Sequence, residues 1–138
     1  MSAKRKTWVY SPPKPTKPKV PASVKAEVER LAQELIETAL KPQHIKPPPE
    51  DAQFNYIVDI YSKWYRHYFY FCAKYASPGP YAISPTFEAK FARLEYVGGE
   101  GRFNLAFMRH TGAWVEIYPD LSLLECFAAI LEDAFFQP

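Results

Sequence analysis

The placement of proline constrains this chain more than any other feature. Most of its 14 prolines fall in blocks: SPPKPTKPKVP at 11–21, KPQHIKPPPEDAQ at 41–53 and SPGPYAISP at 77–85. Proline has no amide hydrogen to donate and holds φ near about −65°, so neither a helix interior nor a central strand can run through such a block. Regular structure must therefore lie between the blocks. The 138 residues suffice for one domain, expected over 22–138, preceded by an arm over 1–21.

The arm differs from the rest in charge as well as in proline. Residues 1–20 carry Lys4, Arg5, Lys6, Lys14, Lys17 and Lys19 and no acid. Residues 21–138 carry eleven Lys and Arg against fifteen Asp and Glu, so a formal +6 arm precedes a formal −4 body. Like charges on a segment with no core of its own mark an interaction tail that seeks an anion. Proline at every second or third position favours an extended polyproline II path. Trp8, Val9 and Tyr10 interrupt the polar arm and offer apolar groups to the body or to a partner.

Between the first two blocks, SVKAEVERLAQELIETAL (23–40) places Val24, Val28, Leu31, Ala32, Leu35, Ile36, Ala39 and Leu40 on one stripe at spacings of three and four, which predicts an amphipathic helix. Ser23 is the expected N-cap, and the proline block from Lys41 onward the expected stop. Strands are predicted at 54–61, 65–75, 86–97, 102–110 and 113–118, from β-branched and aromatic content bounded by turn residues. The first turn is expected near 62–64, the third at GGEG (98–101), where positive φ is needed, and the last at Thr111–Gly112. The stretch EAKFARLE also has helical spacing, but its run into the glycines favours a strand. A closing helix over 123–131 is announced by Ser122 and Glu125, spaced as a capping box. The fold class is α+β: an N-terminal helix, a five-stranded antiparallel meander, and a C-terminal helix packed on the sheet.

The stretch YSKWYRHYFYFCAKY (61–75) holds eight Phe, Trp or Tyr residues in fifteen. Alternation along one strand assigns Tyr65, His67, Phe69, Phe71, Ala73 and Tyr75 to one face and Trp64, Arg66, Tyr68, Tyr70, Cys72 and Lys74 to the other. The first set is the better core. The second mixes Trp64, Tyr68 and Tyr70 with Arg66 and Lys74, the composition of a base-stacking platform with phosphate contacts, or of a face covered by a second copy. Tyr56 or Tyr61 on the neighbouring strand joins it, according to register.

Other chemistries find less support. His67 and Asp59 can face each other across the first hairpin, and Arg109 can oppose Glu116 across the last, but no nucleophile or oxyanion loop accompanies either pair. His67, Cys72, His110 and Cys126 lack zinc-ligand spacing. GGEG lacks the Lys-Ser/Thr and the helix of a phosphate loop. His44 has no neighbour of ligand type. These residues point to no catalytic group, metal or cofactor. Cys72 and Cys126 read as reduced, buried side chains of a cytoplasmic protein, with a bridge between them the alternative. No apolar leader follows Met1, and no apolar run reaches membrane length.

The strand FNLAFMR (103–109), followed by Trp114, Tyr118, an amphipathic helix and the terminal DAFF (133–136), resembles a family of small uncharacterised bacterial proteins that carry a domain of unknown function. The resemblance covers roughly the last 50 residues and departs at Thr111-Gly112-Ala113. It implies a bacterial origin and the meander, and no activity. The residues together point to a non-enzymatic binding protein whose basic arm contacts a polyanion such as RNA or the ribosome. The nucleic-acid contacts would be Lys4, Arg5, Lys6, Trp8, Tyr10, Lys14, Lys17, Lys19, Arg66 and Lys74. The alternative is a homodimeric or small-ligand-binding protein that uses the Tyr/Trp face.

Overall fold

The computed structural model describes residues 19–48, 50, 54–99 and 101–138. Its order is helix, five strands, helix, in the α+β arrangement anticipated above. Helix α1 (Ala22–Leu35) starts one residue before the expected cap: Pro21 occupies the cap position with φ −61° and ψ 147°, and no side chain caps the helix. The chain then passes through a π-helical turn (Ile36–Leu40) into a short α2 (Lys41–His44). The proline block thus does not stop the helix at Leu40. Pro42 sits in the first turn of α2, directly after the π turn. The π turn has a packing role. Val28, Ala32, Ile36 and Leu40 are buried at a strict spacing of four, which drifts around an ordinary helix of 3.6 residues per turn. A wider turn absorbs the drift and keeps Leu40 on the sheet.

The five strands are β1 (Tyr56–Tyr65), β2 (Tyr68–Ala76), β3 (Thr86–Gly98), β4 (Arg102–Met108) and β5 (Trp114–Ser122), in spatial order 1-2-3-4-5. All neighbours are antiparallel. Residues 86–97 are strand throughout, so the helical spacing of EAKFARLE is overridden by pairing on both sides. Helix α3 (Leu123–Glu132) opens with the expected capping box: Glu125 N donates to Ser122 Oγ at 3.2 Å and Ser122 N to Glu125 Oε1 at 2.9 Å.

One apolar layer joins the helices to the sheet. Val28, Ala32, Ile36 and Leu40 from the first helical segment and Cys126, Phe127 and Ile130 from α3 pack on Ile60, Phe69, Phe71, Ala73, Phe91, Leu94, Tyr96, Phe103 and Leu105. Phe71 is its hub, with ring centroids 5.5 Å from Phe69, 6.2 Å from Phe91 and 6.0 Å from Phe127. Both helices therefore cover the same face of the sheet. The opposite face carries no helix among the described residues.

The first hairpin differs from expectation, and the difference reaches the site. β1 continues to Tyr65, and the turn is Arg66–His67, with Arg66 at φ 57°. Nothing in the local sequence marks it, since glycine and asparagine are absent. Trp64 and Tyr65 consequently belong to β1, opposite Phe69 and Tyr68. Trp64 falls on the helix side: its ring lies 5.0 Å from Phe69, and its Nε1 donates to the Lys25 carbonyl at 3.3 Å. Tyr65 turns to the open face, reversing the assignment of both residues, and Arg66 and His67 leave the strand.

Candidate functional site

The open face is built by alternation, which lifts the odd-one-out residues of the core strands away from the helices. Register brings them together. Tyr70 lies between Lys63 and Arg93, Tyr68 between Tyr65 and Glu95, and Cys72 between Tyr61 and Lys90. Arg93 opposes Ala106, which opposes Glu116, and Met108 opposes Trp114. All five strands thus contribute to one surface.

Its centre is a guanidinium between two rings. Arg93 Cζ lies 4.5 Å from the Tyr68 ring centroid and 5.1 Å from that of Trp114. Tyr70 completes the group, 6.0 Å from Tyr68 and 5.7 Å from Trp114, with Lys90 Nζ 5.6 Å from its centroid. Cations over ring faces are attracted by the ring quadrupole, which orders the face without a covering helix. Tyr70 is only 9% exposed, while Tyr65 is 56% exposed. The first is the floor of the surface, and the second presents a free ring. Burial raises the Tyr70 hydroxyl pKa, and Arg93 opposes that shift.

Beside this group lies a hollow of about 370 Å³ lined by Lys63, Trp64, Tyr65, Tyr70 and Lys90. At its edge three donors converge on Glu88. Lys63 Nζ stands 2.8 and 3.0 Å from the two carboxylate oxygens, Lys90 Nζ 3.4 Å from one, and the Tyr61 hydroxyl donates to the other. The Lys63 ammonium, then the Tyr61 hydroxyl, hold the Glu88 carboxyl down at about 2, against an ordinary 4.5. Tyr61 is pushed upward, first by burial and then by Glu88. Cys72 is fully buried in this face, and burial pushes its thiol up to about 11.

The residues singled out from sequence are distributed as follows. Tyr68 and Tyr70 lie in the open face, Lys74 at its margin between Asp59 and Glu88, and Tyr61 joins it. Trp64 is on the helix side, and Arg66 is in the turn with its guanidinium 5.2 Å from the Tyr65 ring. Lys19 is exposed at the start of the described chain, whereas Lys4, Arg5, Lys6, Trp8, Tyr10, Lys14 and Lys17 lie outside the described residues. Lys63, Glu88, Lys90, Arg93 and Trp114 were missed. For β3 the signal was present, because polar residues recur at 88, 90, 93 and 95 around one bulge. For Trp114 it was not, because its neighbours depend on the hairpin register.

The acid–base pairings are not made. His67 Nε2 approaches Glu95 Oε2 at 3.3 Å, and Asp59 approaches Lys41 Nζ at 3.4 Å. Glu116 opposes Ala106, because β4 and β5 pair one to three residues short of the register that would bring it to Arg109. Cys72 and Cys126 are both free thiols. Among the described residues, no group of three or more His, Cys, Asp or Glu could hold a metal ion, and no helix is long and apolar enough to cross a membrane.

A helix-backed meander with one open face defines the class of protein. The chain matches the model of a family described as a domain of unknown function (DUF3024) over residues 20–138, and it belongs to that family. The match takes in most of the chain, so the kinship is not confined to the last strands and helix as the resemblance implied. No curated protein and no solved structure matches.

Proposed function

We propose that the protein is a non-enzymatic binder of single-stranded RNA, with the arm supplying long-range attraction and the open face of the sheet supplying the seat. The observation that carries this reading is the interleaving of Tyr65, Tyr68 and Trp114 with Lys63, Lys90 and Arg93 on a face that no described helix covers. Bases stacked on such rings gain about 1–3 kcal/mol each with little dependence on sequence, while cations between the rings meet the phosphates. The arm's six positive charges precede the family domain, which begins at residue 20. They suit a partner whose charge is continuous.

Fluorescence anisotropy with a labelled oligouridine of about twelve nucleotides tests the reading. Tyr65→Ala combined with Tyr68→Ala should weaken binding at every salt concentration. Deleting residues 2–19 should instead flatten the dependence of log K on log salt by roughly 4, from six released counterions on a single strand. Binding that is absent at low salt, or unchanged in both variants, refutes it. Light scattering that shows a dimer dispersed by the same tyrosine substitutions would assign the face to a second copy.

A further inference from the structure

The Glu88 cluster does more than an ordinary surface ion pair requires. Two ammonium groups and a phenol from β1 and β3 converge on one carboxylate, although residues 61 and 63 lie 27 and 25 positions from Glu88 in the chain. Both lysines also line the hollow of about 370 Å³, within the size range of small-molecule sites. Its wall includes Tyr65, whose ring is more than half exposed. Donors that satisfy a carboxylate here have the geometry to satisfy an anion with more oxygens and more charge.

We propose that Glu88 is a resident occupant of a phosphate seat formed by Lys63, Lys90 and Tyr61, and that a phosphate monoester enters the hollow by displacing it. This rests on the reading of the open face as an RNA-binding surface, and it names where the terminal phosphate of a strand, a monoester unlike the internal diesters, would lodge. The chemistry favours the exchange. A phosphate monoester carries about −1.5 to −2 charges and three acceptor oxygens, against one charge and two oxygens for the carboxylate. The Glu88 side chain is held by these three donors, and the exchange requires it to swing toward solvent while Lys63 and Lys90 stay at the hollow they line. With the carboxylate in place, weak anions are excluded. The seat thereby discriminates phosphate from the carboxylates and chloride that surround any protein.

Titration of the full-length chain with inorganic phosphate and with uridine 5′-monophosphate, followed by amide shifts of residues 61–65 and 88–90, tests the proposal. Glu88→Gln removes the resident charge and should tighten both ligands about tenfold, the scale of one or two partly screened ion pairs. Lys63→Met should abolish binding of both in either background. Glu88→Ser, which is too short to reach the lysines, repeats the test if Glu88→Gln fails to fold. Folded Glu88 variants that bind phosphate no more tightly than wild type overturn the proposal. Phosphate tightened in Glu88→Gln with no oligouridine binding would overturn the RNA reading and leave the seat intact. Oligouridine bound through the tyrosines with phosphate indifferent to Glu88 would do the reverse.

Discussion

Replacing Arg93 by methionine tests the architecture of the open face directly. The substitution keeps an unbranched stem of similar length and removes the charge. A cation–π contact is worth about 0.5–1 kcal/mol when exposed and about 2 when desolvated, so two half-buried contacts with Tyr68 and Trp114 contribute about 2 kcal/mol together. Against this, Arg93 Nε is buried without a hydrogen-bond partner among the described residues, a defect that costs about 1 kcal/mol and that methionine removes. The difference predicts a net loss of about 1 kcal/mol, or roughly 3–5 °C in Tm for a chain of this size. Urea unfolding followed by tryptophan fluorescence measures it. A double-mutant cycle of Arg93→Met with Trp114→Leu should give a coupling of about 1 kcal/mol. An Arg93→Met variant at least as stable as wild type, with coupling within about 0.3 kcal/mol of zero, would show that the guanidinium does not organise these rings.

Three further outcomes are expected. Phe71→Ala should cost about 3–5 kcal/mol, because the ring is fully buried against three others, and calorimetry should find the melting transition lowered far more than in Arg93→Met. Glu88 has a folded pKa depressed to about 2 from 4.5, so its contribution is present above about 4.5 and is lost as pH falls toward 2. Acid unfolding of Glu88→Gln should accordingly lack that part of the wild-type limb between the two values. Burial pushes Cys72 and Cys126 up to about 11 and 12, so mass spectrometry after iodoacetamide at mildly alkaline pH should find neither modified until denaturant is added.

The amino-acid sequence by itself determined the elements, because their signals are local. Proline blocks separate most of them, although α2 runs into the second block, three-and-four spacing marks the N-terminal helix, Ser122 and Glu125 announce the C-terminal one, and the glycines at 98, 99 and 101, all at positive φ, place the third turn. The hidden turn was different. Arg66 adopts φ 57° without glycine's freedom, held by pairing on either side, so no residue type revealed it. Because side chains in a strand alternate with period two, misplacing that turn moved Trp64 into the site and Tyr65 out of it. Only tertiary structure decided the site, since its members meet across four strands: Lys63 with Glu88, Tyr70 with Trp114, Arg93 between Tyr68 and Trp114. Such contacts depend on register and on which face the helices choose. The helices take the face that Phe69, Phe71 and Leu94 make most apolar, and the tyrosines and cations gather on the other.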